Sequence, residues 1–402
     1  MTMRVRIKHT QGMSAHLSFF IMAMVAGAPP LLRVAAAQVP PYSTIVNPGM
    51  RTEEIQQAIN SGSGAVYFMP GLYKLTGPLC LNSTGRTYVG PGSSDPRVGS
   101  VLMQTSPPDP ITGLGVPVFA VDRAITSVTI SGLAFDGAPG VNARGIGAVD
   151  PRQCHHTGDP NGGFLFISTI SGSYFLTGLA EGIDIPMQIT AIEGNHFGVD
   201  SVNAGWIGST HRHIHSFYAY APGQTTEIRV INNTFARAKG AESVLFESGT
   251  QLEMIGNEFQ DNDARTTLQI NGMLQVVLEK NRFERNSGTY IIHFAPSRHG
   301  DQLIGNNIVR AQNNFYDMQL NDFIFTIDQA GGADVFMGGE SGVRFTHSDG
   351  TAADLTDPSI ANSCNAITHA PIYLSTIGPF NFADYKARNP NCCGRTETTP
   401  CK

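Results

Sequence analysis

The feature that most constrains this chain is a repeat whose last member is aromatic. Phe135, Phe175, Phe197, Phe235, Phe259 and Phe283 recur at spacings of 40, 22, 38, 24 and 24, and Ile308 follows 25 residues later in the same role. Five residues before each stands an apolar residue: Ile130, Ile170, Ile192, Val230, Met254, Leu278 and Leu303. Seven before, Val128, Ile228, Leu252 and Val276 continue the period of two expected of a short strand, while Ser168, Thr190 and Asp301 interrupt it. Asn195, Asn233, Asn257, Asn281 and Asn306 lie two residues before the repeat position. Asparagine tolerates the left-handed backbone region, and its amide can bond to the same amide one turn away. Short strands, an Asn-bearing turn and an inward Phe every 22 to 25 residues describe one coil of a parallel β-solenoid, which buries its apolar face only by stacking on its neighbours. Leucine-rich repeats would show a different leucine frame, and propeller blades would need about 40 residues.

The stretch TEEIQQAINSGSGAVYFMPGLYKLTGPLCLNSTGRTYVGPG, Thr52 to Gly92, resembles the opening of the pectin-lyase-like right-handed parallel β-helix superfamily, especially its pectate lyase/rhamnogalacturonase/epimerase-like branch. The resemblance covers roughly residues 45 to 325 and implies an all-β right-handed parallel β-helix. In it a short N-terminal helix, with Ile55, Ala58 and Ile59 on one face, plugs the end of the solenoid, and an open solenoid end does need such a cap. Three regions are expected: a signal peptide over 1–37, the β-helix over 38–330, and a cysteine-containing cap over 331–402 packed on the helix.

The signal peptide is read from basic residues ending at Lys8, an apolar run from Leu17 to Ala28, and Ala35, Ala36 and Ala37 as an A-x-A cleavage site. Twelve apolar residues are too few to span a bilayer, so the mature chain is expected to be secreted or extracytoplasmic with no membrane span. Residues 38–402 hold 22 basic against 32 acidic side chains. This acidic balance argues against nucleic-acid and anionic-membrane partners, which require a dense cationic face. Cys80, Cys154, Cys364, Cys392, Cys393 and Cys401 fit export and predict oxidised pairs of undetermined connectivity.

Two coils are overlong: Phe135 to Phe175 and Phe197 to Phe235 exceed a 24-residue unit by about 16 and 14 residues. Insertions on neighbouring coils would rise as walls of a groove in which a linear extracellular polysaccharide can lie, with the chain acting as a monomer. They could also simply cover apolar coil surface. The first insertion contains Arg144, Asp150, Arg152, Cys154, His155, His156 and Asp159. The second contains Trp206, the only tryptophan, then His211, Arg212, His213, His215, Tyr218 and Tyr220. Trp206 is a candidate platform for a sugar ring, and Arg144 and Arg152 are candidate substrate contacts. If residues 211–215 are extended, their histidines project to one side and could hold a divalent cation, Ca or Zn, or supply a base. By repeat phase Leu245, Gln269 and His293 stack on the outside, as do Glu247 and Asn271, and Asp184 faces outward between inward Ile183 and Ile185.

The reading favoured by these residues is a lyase or epimerase of uronate-containing chains, with a hydrolase and a binding solenoid as the alternatives. A uronate lyase or epimerase must neutralise the C6 carboxylate, remove the C5 proton and protonate a leaving oxygen or the opposite face. Arg212, His213, His215 and Tyr218 are candidates for that work, with Asp184, Glu247 and His293 on the same face. A glycoside hydrolase needs a carboxylate pair about 5 to 9.5 Å apart. A non-catalytic glycan-binding or adhesion solenoid needs neither. Polygalacturonase-like patterns are missing, since there is no Asp-Asp pair, and so is the W-I-D-H motif of calcium-dependent pectate lyases. Asp150-Pro151-Arg152 only partly resembles the D-P-H of mannuronan epimerases, so no catalytic set is carried over.

Overall fold

The computed structural model describes residues 44–294, apart from 63, 111–112, 149–153, 155–162, 204–209, 218–225 and 289. Beyond 294 it describes strand backbones and the Asn313 side chain. The signal segment, Arg152, Trp206, Tyr218, Asp150, Asp159, His155, His156, Tyr220 and the four C-terminal cysteines lie outside the described residues.

The chain winds as a right-handed parallel β-helix, with strands of successive coils paired in register through one continuous sheet. Right-handed winding is what strand twist imposes on parallel crossovers. The single helix among the described residues, Thr52–Ser61, seats Ile55 and Ile59 fully buried and Ala58 against the core. Arg51 and Glu54 close its first turn, with the Glu54 carboxylate accepting from the Arg51 backbone N–H at 2.8 Å. The amphipathic face thus covers the apolar end of the first coils, as expected.

Inside, the phenylalanines stack. Ring centroids of Phe135, Phe175, Phe197, Phe235, Phe259 and Phe283 follow one another at 5.0, 4.4, 4.9, 4.9 and 4.6 Å. Each is essentially free of solvent contact. The coil spacing of about 4.8 Å is also the distance at which offset aromatic rings attract, so backbone and side-chain periods reinforce each other. Phe235→Ala in mid-stack is expected to cost about 3–5 kcal/mol through the lost burial and the cavity left, checked by chemical denaturation.

A buried asparagine ladder runs beside the rings. Asn195, Asn233, Asn257 and Asn281 each donate from Nδ2 to the Oδ1 of the next member at 3.0, 3.0, 2.8 and 2.8 Å, ending on Asn313. Here the repeat frame needs correction. Phe315, not Ile308, pairs with Phe283; Ile308 pairs with Val276; and Asn313 takes the place expected of Asn306. The antiparallel hairpin of Ser297–His299 and Gln302–Ile304 lengthens that coil, so counting 25 residues onward stops at the start of the strand Ile308–Tyr316 and not at its Phe315. A second ladder, Asn262 to Asn286 at 2.8 Å, has no counterpart in the frame read from sequence.

Cys80 and Cys154 form a disulfide that ties the first insertion to the early coils. Parallel pairing continues past residue 330, through Val335–Met337 to Ile372–Leu374. Among the described residues no helix is long and apolar enough to cross a membrane.

Candidate active site

The two insertions follow strands that end at the same corner of coils separated by one ordinary coil. Residues 149–163 follow the strand Arg144–Ala148, and 218–226 follow Arg212–Phe217, while in the coil between them Glu181–Asp184 passes to Met187–Glu193 with only two residues intervening. Register aligns Arg144, Glu181, Arg212 and Glu242 in one column, and Gly147, Asp184, His215, Leu245, Gln269 and His293 in another. Alternating acid and base side chains on successive coils come within reach of each other because coils repeat at about 4.8 Å.

The centre of the cluster is His215. Its Nδ1 lies 3.0 Å from Asp184 Oδ1 and its Nε2 lies 3.2 Å from Glu247 Oε2, so one imidazole is held between carboxylates of the two flanking coils. Asp184 also accepts from Arg144 Nη1 at 2.8 Å. Gly147, beside Asp184 in register, makes room for that guanidinium: a Cβ there would stand 3.1 Å from Nη1. Arg144 is buried and donates its Nε to the Gly115 carbonyl. Arg212 donates to Glu242 Oε2 at 2.6 Å and lies 3.7 Å from Glu181 Oε1. Asn271 Nδ2 reaches the other Glu247 oxygen at 3.5 Å.

These contacts push the proton affinities apart. Burial lowers that of His215, but hydrogen bonds to Asp184 and Glu247 outweigh it and hold the pKa up at about 8. Asp184 is pushed up by burial and pulled further down by His215 and Arg144, so it stays ionised. Glu181 is raised to about 7, first by burial and then by the adjacent Asp184 charge. Glu247 is lowered, chiefly by its bond to His215.

Because the folded-state pKa values of Glu181 and His215 both lie above their unfolded values, each stabilises the fold at low pH and loses that effect as pH rises. For Glu181 the loss spans 4.5 to about 7, and for His215 it spans 6.5 to about 8, the latter worth about 2 kcal/mol. His213, lowered to about 4, acts in the opposite sense between 4 and 6.5 and offsets Glu181 there, so stability is expected to fall between pH 6.5 and about 8. Thermal melts of Glu181→Gln should show stability rising with pH up to 6.5, with His213 unopposed, and His215→Gln should remove most of the decline above 6.5.

The expectation that three histidines share one side is overturned. Residues 212–217 are extended, yet His213 and Ile214 are both fully buried because alternation slips at the corner. The His213 ring lies between Phe197 and Phe235 at centroid distances of 5.7 and 5.9 Å, and burial lowers its pKa to about 4. A neutral ring in the core cannot touch a polymer on the outer surface, so His213 leaves the candidate set. His293 shares the His215 column but stands three coils away, roughly 14 Å at the coil spacing, too far for direct proton transfer. It stacks with Tyr290 at 4.8 Å. Asp184, Glu247, Arg144, Arg212 and His215 do come together. Arg152, Trp206 and Tyr218 lie outside the described residues. Among the described residues no group of three His, Cys, Asp or Glu side chains is arranged to hold a metal ion.

Sequence reading missed Glu181, Glu242 and Phe217. The signal was available for the first two: each lies one coil from Arg212 in the same register. Counting them required the exact position of the extra residues inside an overlong coil.

No family model matches the chain, and no curated protein matches its sequence. Solved structures do match. A tailspike protein of an Acinetobacter phage superposes with a TM-score of 0.51 at 15% identity, covering 81% of this chain and 56% of its own. A second Acinetobacter phage tailspike gives 0.49 at 13% identity, covering 84% and 57%. The A-module of the Azotobacter vinelandii mannuronan C-5 epimerase gives 0.39 at 12% identity, covering 82% and 94%. The chain spans a little over half the length of the tailspikes it matches. The class is the right-handed parallel β-helix, and the pectin-lyase-like resemblance of the opening segment holds at the level of the fold.

Proposed function

We propose that this is an extracytoplasmic polysaccharide-processing β-helix whose reaction is acid-assisted hydrolysis of a glycosidic bond at the outer face around Glu181, Asp184, His215 and Glu247. The observation that carries this reading is the pairing of both arginines of the described cluster with the protein's own carboxylates: Arg144 with Asp184, and Arg212 with Glu242 and Glu181. A lyase or epimerase needs cationic groups for the substrate's C6 carboxylate, whereas a hydrolase needs one carboxyl that carries a proton and another that does not. Glu181, its proton held by burial and the adjacent Asp184 charge, supplies the first, and Glu247, kept ionised by His215 on the coil beyond, supplies the second. Export is supported by the N-terminal apolar run and by the Cys80–Cys154 disulfide, a bond that persists in oxidising compartments.

A second reading, lyase or epimerase chemistry, is favoured by one feature: Asp184 anchors His215 Nδ1, the arrangement that orients an imidazole for proton transfer. Incubation with neutral glycans, pectins and alginates separates the two. Hydrolysis yields new reducing ends without near-ultraviolet absorbance. A lyase yields an absorbing unsaturated uronate, and an epimerase changes only the proton NMR spectrum. Binding without turnover of any polymer would overturn both enzymatic readings and leave a glycan-binding solenoid.

A further inference from the structure

Phe217 ends the strand that carries His215, and the residue is 37% exposed. It is the only aromatic among the exposed large apolar side chains of the described residues; the phenylalanines of the stack are buried to within 1%. Its ring centroid lies 4.9 Å from the His215 imidazole at an interplanar angle of 42°. In register it stands beside Glu247, and the next coil places Asn271 there. The two following coils thus use polar side chains where this one presents a benzene ring to solvent. Leaving an aromatic ring in water forgoes the burial that this residue type otherwise supplies. The exposed ring also touches the one imidazole clamped by two carboxylates.

We infer that Phe217 is a stacking platform for one pyranose ring of the substrate, a deepening that rests on the glycan-processing reading above. The apolar ring face meets sugar C–H groups, while Glu247, with Asn271 behind it, accepts hydrogen bonds from the hydroxyls at that sugar's edge. This combination selects a pyranose with one uninterrupted C–H face, such as a galacto-configured sugar, over sugars whose axial hydroxyls occupy both faces. Protonated His215, tilted by 42° against Phe217, polarises the ring. The stacked sugar is therefore held next to the group whose protonation the two carboxylates control.

The test is steady-state kinetics of the full chain with the polymer found in the glycan panel, for Phe217→Ala and Phe217→Trp. Phe217→Ala should raise KM about tenfold with kcat within about twofold, and Phe217→Trp should restore KM, since stacking contributes binding of roughly that size. A side chain that only packs on His215 would instead change kcat and the pH profile, and tryptophan would not rescue KM. Unchanged KM in Phe217→Ala, with a polymer that wild type turns over, sinks the platform while leaving the hydrolase reading intact. If wild type turns over no polymer, the reading fails first, and the platform then stands or falls on glycan-array binding: loss of galacto-configured ligands in Phe217→Ala upholds it, and identical binding overturns it.

Discussion

Glu181→Gln is expected to lower kcat by about 10²–10⁴-fold while KM stays within a few-fold, the loss typical of a removed general acid. Glutamine keeps the length and the capacity to accept from Arg212 but cannot deliver a proton to a leaving oxygen. Burial and the neighbouring Asp184 charge keep the Glu181 proton in place near neutrality, whereas Asp184 is held ionised by His215 and Arg144. The rate of wild type should consequently fall as pH rises through about 7, and the variant should lose that limb. His215→Gln is the control that distinguishes chemistries. Under hydrolysis it leaves measurable turnover, because the acid remains. Under lyase or epimerase chemistry it abolishes turnover while Glu181→Gln does not. Reducing-end release, near-ultraviolet absorbance and the proton NMR change for both variants, followed from pH 5 to 9, decide between them.

Asn257→Ala is expected to destabilise the solenoid by about 4 kcal/mol, because several buried groups lose partners at once. Asn257 donates Nδ2 to the Val230 carbonyl at 2.8 Å and to Asn281 at 2.8 Å, and its Oδ1 accepts from the Asn233 backbone N–H and Nδ2, both at 3.0 Å. Each orphaned buried group costs about 1–3 kcal/mol. Each coil contacts only its neighbours, so the damage concentrates locally, and the first unfolding transition should move most. Denaturant titration followed by circular dichroism measures this shift. A change under about 1 kcal/mol would mean that water replaces the amide, and that the ladder contributes little beyond registration.

Much of the fold was legible because a coil is a local object. Phe235, Phe259 and Phe283 and their companions Asn233, Asn257 and Asn281 repeat at a stride of 24, and each contributes a ring or an amide at the same height of every turn. The frame failed at Ile308 because a hairpin adds residues that stride alone cannot see. The candidate site was half legible. Asp184, Glu247, Arg144, Arg212 and His215 were named from residue type and phase, and they converge. His213 was misplaced, since one slipped residue at the corner turns its ring inward, and a period of two has no term for a corner. Glu181 was passed over because a lone glutamate in a short strand looks solvated until the next coil sets Arg212 beside it and its own strand brings Asp184 near.

By itself, the order of residues determined that this chain must wind and stack: apolar and amide side chains at a fixed interval can be buried in no cheaper way. What the tertiary structure alone decided is which charges meet. Side chains 30 to 40 positions apart become neighbours only when insertions are assigned to particular corners, and proton affinities follow distances of a few ångströms.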